Sequence, residues 1–437
     1  MRLQRNTTFW RFLVLLLALI VAAMLTSCAG AASANSALGG SSASSNLAST
    51  SSPQSSSSTP APAPTSQAVA PYLYVGVFQD QGGVLGYHVD SSTGALAAVP
   101  GSPLLFATAT AQQFSQAGPV AAVNGDVYVG YGPPGLQSPV IRTYALDSAT
   151  GGLGTYTETD AGSVGNEEQM TALVTDSIGH NLYVVYTHNI ASFQINADGS
   201  LVHLGTLANL ALAAVFSLAI SPTGNIAFVG VDNCPPKGTC AGPPDILLLD
   251  RDPNTGDLSN TGQLMGQNNV WSPGTLAFAP SGKYLLAWTT HVNGNSQISV
   301  YGVDYSRGTL TLAPGSPYAI PGGLSPVAFG FDSSGGFLYV LNSAEFLPQA
   351  ETLAVYTFAQ STGTLTQIEN ESLPSGNFPA ALRVDDAFVF VVDSRAGPIS
   401  SVIYVLPRDA NAGTVASPVF TQTVSNLGLG EAVELRF

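Results

Sequence analysis

The chain has 437 residues, a formal net charge of −15 at neutral pH, only 9% charged residues, and 46 glycines with 29 prolines. So acidic a surface repels phosphate backbones and anionic headgroups, which argues against nucleic acid as a partner. Many turn formers and few charged helix formers argue against a helical body and for an all-β fold.

At the start of the chain, Arg2, Arg5 and Arg11 surround the entry to an apolar run from Phe12 to Met24. This is the layout of an export signal, and the run falls short of the about 20 apolar residues that a membrane-spanning helix needs. The run ends in Leu25-Thr26-Ser27-Cys28-Ala29. That stretch resembles the lipobox of bacterial lipoproteins, in which the cysteine takes a diacylglycerol and the signal is cut just before it. The resemblance implies a signal peptide over 1–27, lipid attachment at Cys28 and a place in the cell envelope outside the cytoplasm. From there to residue 70 the chain is Ser, Ala, Pro and Thr without charge. Such a segment buries too little to offset the entropy of ordering, so a flexible tether is expected over 28–70. Loss of the signal removes three basic residues and no acidic one, taking the balance to −18.

Residues 71–437 repeat one unit. Each contains a short apolar strand, a Gly or Asp turn, a Leu-Tyr-Val strand, a variable loop, a Val-Tyr-x-x-Asp strand and a Gly-x-Leu turn into a weak fourth strand. The Leu-Tyr-Val strands centre on Tyr74, Tyr128, Tyr183, Phe228, Leu286, Tyr339 and Phe390. The Gly-x-Leu turns fall in step at Gly94, Gly151, Gly199, Gly256, Gly308, Gly363 and Gly413. Four short strands in a unit of this length mark a β-propeller blade, so the expected fold is all-β, a seven-bladed β-propeller. First strands are expected at Val120–Val123, Ala172–Val174, Ser217–Ile220, Thr275–Phe278, Val327–Phe331 and Ala381–Val384. The unit around Tyr74 lacks one, and the C-terminal Glu431–Phe437 supplies it. The C-terminal strand is therefore expected to pair with the N-terminal blade and close the ring, leaving no open edge. Asp90, Asp147, Asp250 and Asp304 precede their turns and are expected to cap them. His88 and His203 fall inside strand patterns and are read as structural.

Turns after first and third strands are tight and share one face, while the connections after second and fourth strands are long and varied. Binding and catalytic groups concentrate on such loops. This face is expected to carry His188, Asp232, His291, Asn342, Glu345, Asp393 and Arg395 from second-to-third loops, with Glu167 and Glu168 from a fourth-to-first loop. One of its loops holds Cys234 and Cys240, six residues apart. In an oxidising compartment they read as a local disulfide worth about 2 kcal/mol. Two thiols are half a structural zinc site, and no neighbouring His or Cys completes it. No cofactor or metal is expected, since the chain has no phosphate loop and no His-rich motif.

Units such as Tyr72-Leu73-Tyr74-Val75-Gly76, followed by Tyr87-His88-Val89-Asp90-Ser91-Ser92-Thr93-Gly94-Ala95-Leu96, resemble the lactonase-type seven-bladed propellers, which include bacterial 6-phosphogluconolactonase. The resemblance spans residues 71–437. It implies an active face built from Arg, His and Glu, with an Arg-His pair in a first strand and an Asn-Glu after a Leu-Tyr-Val strand. Here the pair is replaced by Val327-Ala328, and the strand that follows reads Leu341-Asn342-Ser343-Ala344-Glu345, with the Glu displaced. Two functions are therefore open. One is a monomeric, membrane-tethered scaffold that binds an envelope protein or a carbohydrate-like ligand, and this is preferred because the pair is missing. The other is a lactone hydrolase with His291 and Glu345 as acid and base, Arg395 as anion clamp, and His188, Asp232, Asn342 and Asp393 around the rim.

Overall fold

Every repeat buries its second strand against the next repeat, and that contact organises the whole body. The computed structural model describes residues 71–435 apart from 79–81, 107–115, 133–137, 163–169, 209, 211–213, 233–244, 266–269, 292–295, 344–350, 374–377, 395–400 and 425–427. These residues form seven antiparallel sheets. Among them the one helical turn is the three-residue Pro321–Gly323, and no helix is long and apolar enough to cross a membrane. Six sheets run in chain order from the first strand outwards. In blade 7, for example, Phe378–Val384 is innermost, followed by Phe388–Ser394, Ser401–Pro407 and Phe420–Val424.

Blade 1 departs from this order as expected. Its innermost strand is the C-terminal Gly428–Leu435, which pairs antiparallel with Tyr72–Phe78, placing Val433 opposite Tyr74. The other first strands lie where the repeat placed them, for instance within Gln116–Val123 and Ser325–Phe331. All seven innermost strands break register with their second strands. Pro119, Pro273, Pro326 and Pro379 sit at or beside four of these breaks. A bulge bends the strand and tolerates a residue that cannot donate to the ladder, which is why proline is admitted there.

The core is not one cluster but seven, one per seam between neighbouring blades. Strand alternation produces this arrangement. In blade 6, Leu338 and Val340 face blade 5, while Tyr339 and Leu341 face blade 7. Each such side chain taken fully out of water contributes about 1.5–3 kcal/mol.

In four blades the two sequence markers turn out to be partners. The Tyr74 hydroxyl donates to Gly151 O at 2.7 Å, Tyr128 to Gly199 O at 3.1 Å, Tyr183 to Gly256 O at 2.7 Å and Tyr339 to Gly413 O at 2.6 Å. Each bond runs from one blade into the turn of the next. Burial pushes the Tyr183 hydroxyl up to about 12, so it stays a protonated donor. The turn glycines are required twice over. Gly256 has φ 81°, and a Cβ there would run into the Asn181 side chain of the preceding blade.

Two buried arginines reinforce this end of the seams. Arg408 donates to the Tyr339 hydroxyl at 2.6 Å and pairs with Asp332 at 2.9 Å, both partners in the preceding blade. Arg251 does the same with Tyr183 at 2.6 Å and Asp176 at 2.7 Å. Its strand, Asp245–Arg251, runs through Asp250, which is paired in register with Ile226 and Ser259. Asp250 is therefore not the turn cap expected from the sequence. The cap is Asp252, whose Oδ1 accepts from Asn254 N at 2.7 Å and Thr255 N at 3.1 Å. The Thr255 and Asn254 amides hold that carboxyl below the usual range. Asp90, Asp147 and Asp304 cap their turns in the same way. His88 packs edge-on against Tyr72 with centroids 5.7 Å apart, and His203 lies 5.0 Å from Phe193.

Deleting 431–437 removes most of the closing strand and exposes the edge of blade 1. The deletion protein is expected to aggregate or unfold, read by gel filtration and circular dichroism; a stable monomer would contradict closure by that strand. Arg408→Ala strands the Asp332 carboxylate inside the seam, so it is expected to cost about 3–5 kcal/mol in denaturant unfolding. A loss below about 1 kcal/mol, the range of exposed pairs, would show that the clamp is not desolvated as described.

Candidate functional site

The innermost strands surround a central cavity of about 460 Å³, of the size that holds small molecules. Its wall is mostly alanine, valine and leucine. Val327 and Ala328 belong to it. The two positions where the resemblance would put an Arg-His pair therefore face the cavity as apolar groups. Thr171, Ser217 and Thr275 add hydroxyls. Their protons are committed to backbone carbonyls: Ser217 donates to Gly274 O at 2.6 Å, Thr275 to Val327 O at 3.1 Å and Thr171 to Val185 O at 3.1 Å. The first two bonds cross to the next blade, so these hydroxyls staple the inner ring.

Among the described lining residues one is charged, Arg383. It lies near the end of Phe378–Val384, partly exposed, with Nη1 donating to Leu382 O at 2.8 Å. No described lining residue is a carboxylate or an imidazole.

The expected rim residues sit at one end of the blades, on successive second strands or just beyond them. Asp232 and His291 end the strands Ile226–Asp232 and Tyr284–His291. His188 lies in the short connection between Asn181–Tyr186 and Ile190–Ile195. Glu167, Glu168, Glu345, Arg395, Cys234, Cys240 and Cys28 lie outside the described residues. Asn342 and Asp393 occupy corresponding positions, opposite Pro326 and Pro379, and each is only 1% exposed. Strand alternation turns them into the seams instead of outwards. Asn342 shares the parity of Leu338 and Val340, which face blade 5, and Asp393 that of Val389 and Val391, which face blade 6. Glu351, 3% exposed, has the parity of Leu353 and Val355 and points to the same seam between blades 6 and 7.

Asn342 Nδ2 donates to Thr352 Oγ1 at 3.2 Å, but its Oδ1 has no hydrogen-bond partner among the described residues. The buried Trp288 indole N–H has none either. Trp288 shares the parity of Leu286, so both groups lie towards the seam of blades 5 and 6 at its loop end. An unspent acceptor and an unspent donor are uncommon in a buried site. Sequence reading missed Trp288 and Arg383. Aligning the first strands on the Leu-Tyr-Val centres would have exposed Arg383 as the odd residue in a column of small ones.

This architecture is similar to that of several solved proteins. A 6-phosphogluconolactonase, provisionally so assigned, from Bacteroides uniformis aligns over 84% of this chain and 100% of its own, with 15% identity and a TM-score of 0.63. The periplasmic gluconolactonase of Pseudomonas aeruginosa aligns over 84% and 99%, with 18% identity and a TM-score of 0.62. A protein from Lactobacillus plantarum aligns over 84% and 99%, with 19% identity and a TM-score of 0.60. No protein-family model and no curated protein matches the sequence. At these identities the likeness is one of fold.

Proposed function

We propose that the chain is an exported lipoprotein whose propeller, tethered through Cys28, binds a compact ligand or an envelope partner and does not hydrolyse it. The cavity wall carries this reading. Opening a lactone needs a general base and an electrophilic group for the developing oxyanion. The described wall supplies neither carboxylate nor imidazole, and its hydroxyl protons are bonded to backbone. The unspent groups of Asn342 and Trp288 at the loop end of one seam support recognition of a ligand there. The tether of about 40 residues supports a body held off the membrane, on the periplasmic or outer-membrane side. Ala29 after the lipid-acceptor position fits release from the inner membrane, since it is not the Asp that retains some lipoproteins there.

A lactone hydrolase remains the second reading. The observation in its favour is the pair of buried carboxylates, Glu351 and Asp393, at the loop end of the seam between blades 6 and 7.

The full chain is expected to partition into the detergent phase of a Triton X-114 extraction and Cys28→Ser into the aqueous phase. A serine variant that stays with the detergent would refute the lipid anchor. Against a panel of sugar and aromatic lactones the purified protein is expected to show no turnover above buffer. If it does turn over, His291→Ala and Glu345→Gln should each lower the rate at least about 100-fold, as loss of a general acid or base does.

A further inference from the structure

At the tight-turn end, the glycine of each Gly-x-Leu turn lies against a side chain of the preceding blade. Aromatic rings take this place in four seams, with Tyr72 on Gly151, Tyr284 on Gly363, Phe337 on Gly413 and Phe388 on Gly94, and Leu248 takes it on Gly308. The other two seams use short polar groups. Asn181 lies on Gly256 and is fully bonded. Its Nδ2 donates to Thr255 O at 2.8 Å and to Phe193 O at 3.1 Å, and its Oδ1 accepts from Arg251 Nη2 at 2.7 Å. Asp126 lies on Gly199 in the corresponding way, two residues before a tyrosine, Tyr128, that donates to Gly199 O as Tyr183 does to Gly256 O. Polar groups at this end otherwise serve the fold, and Asp126 is the exception. Among the described residues its half-buried carboxyl meets no hydrogen-bond donor and no cation.

Thr255 precedes Gly256 and offers Asn181 a backbone carbonyl; Asp198 precedes Gly199 and stands in the equivalent place before Asp126. A carboxylate has only lone pairs to set against a carbonyl, whereas a carboxylic acid has one O–H to donate. The elements packed around Asp126 bring no relief. Its partners on the strands to either side, Val123 and Ala145, carry no charge. Burial raises the Tyr128 hydroxyl on its own strand, so that group stays neutral. The blade 3 turn adds the carboxylate of Asp198, which the Ser200 hydroxyl and amide hold below the usual range and so keep ionised. From this geometry we infer that Asp126 is an acid-sensitive switch in the seam between blades 2 and 3. Ionised, it repels the turn it packs on; protonated, it completes the seam with a hydrogen bond of the kind Asn181 makes. Burial first, and then Asp198, raise its pKa above the ordinary carboxyl value. A carboxyl whose pKa rises on folding costs nothing while it is protonated in both states. The penalty is therefore absent below about pH 4 and grows as pH rises through the raised value. The switch belongs to the fold and holds whatever the propeller binds.

The thermal midpoint of the full chain in detergent is followed from about pH 4 to about pH 8 at fixed ionic strength. The parent is compared with Asp126→Asn, which places there the amide that blade 3 already uses. At the alkaline end the variant is expected to melt about 1–3 °C higher, and the difference should close towards the acid end, where the parent carries its proton. Hydrogen exchange separates this from a general effect of surface charge. In the parent the amides of residues 196–200, corrected for their intrinsic pH dependence, should exchange several-fold more slowly at the acid end, and in Asp126→Asn they should show no such change. Asp198→Asn keeps an acceptor for the turn and removes the neighbouring charge, so it should move the parent's transition to lower pH without abolishing it. An Asp126→Asn protein that fails to fold, melts no higher than the parent at the alkaline end, or differs from it by the same amount at every pH overturns the switch. So does turn exchange that ignores pH in the parent, or a transition that Asp198→Asn leaves in place.

Discussion

The whole body depends on one contact made repeatedly: each second strand packs against the next blade, and in four of them the central tyrosine reaches that blade's turn. A blade by itself has two apolar faces and cannot bury either. Placed in a ring, each face meets a neighbour, and the core divides into seven seams. The tyrosine hydroxyls that reach across to turn carbonyls fix the depth at which blades interlock. Because no seam can be omitted, the ring has to close, and the C-terminal strand does so by joining the first blade.

The two ends of the blades use polar groups differently. At the tight-turn end they are spent on the fold, as in the Arg251–Asp176 and Arg408–Asp332 clamps and the aspartates that cap turns. Those two arginines are among the few cations of a chain with 12 Lys and Arg in all. At the loop end, by contrast, buried polar groups occur without an evident packing role, including Asn342 with its unspent oxygen. A third arginine, Arg142, is held among the rings of Phe106, Tyr131 and Tyr156 at 4.4–4.5 Å and pairs with Glu158. Cation–π contact and an ion pair commit it to the second blade.

The scaffold shared with gluconolactonases says little about chemistry here, because a fold hosts many functions and the site decides between them. Among the described lining residues there is no carboxylate or imidazole, and Val327 and Ala328 stand where the resemblance would put an Arg-His pair. The described wall offers the oxygens of Thr171, Ser217 and Thr275 and one arginine.

The sequence by itself determined the number of blades, the strand order and the closing strand. All three follow from local signals, apolar alternation and turn chemistry, recurring in step along the chain. It also placed His188, Asp232 and His291 at one end of the blades, since strand direction alternates and that end is a matter of counting. Which way a side chain points depends on bulges and on the neighbouring blade, and these only the tertiary structure decides. Asn342 and Asp393 look like rim residues in the sequence, yet strand parity folds them into seams. Asp250 looks like a cap, but Arg251 carries its strand onward to reach Asp176, and the cap moves to Asp252. Arg383 is one arginine in an apolar strand until the ring brings it to the wall of the central cavity. Its place there is a property of the ring, because residues far apart in sequence share a cavity wall only once the strands have paired.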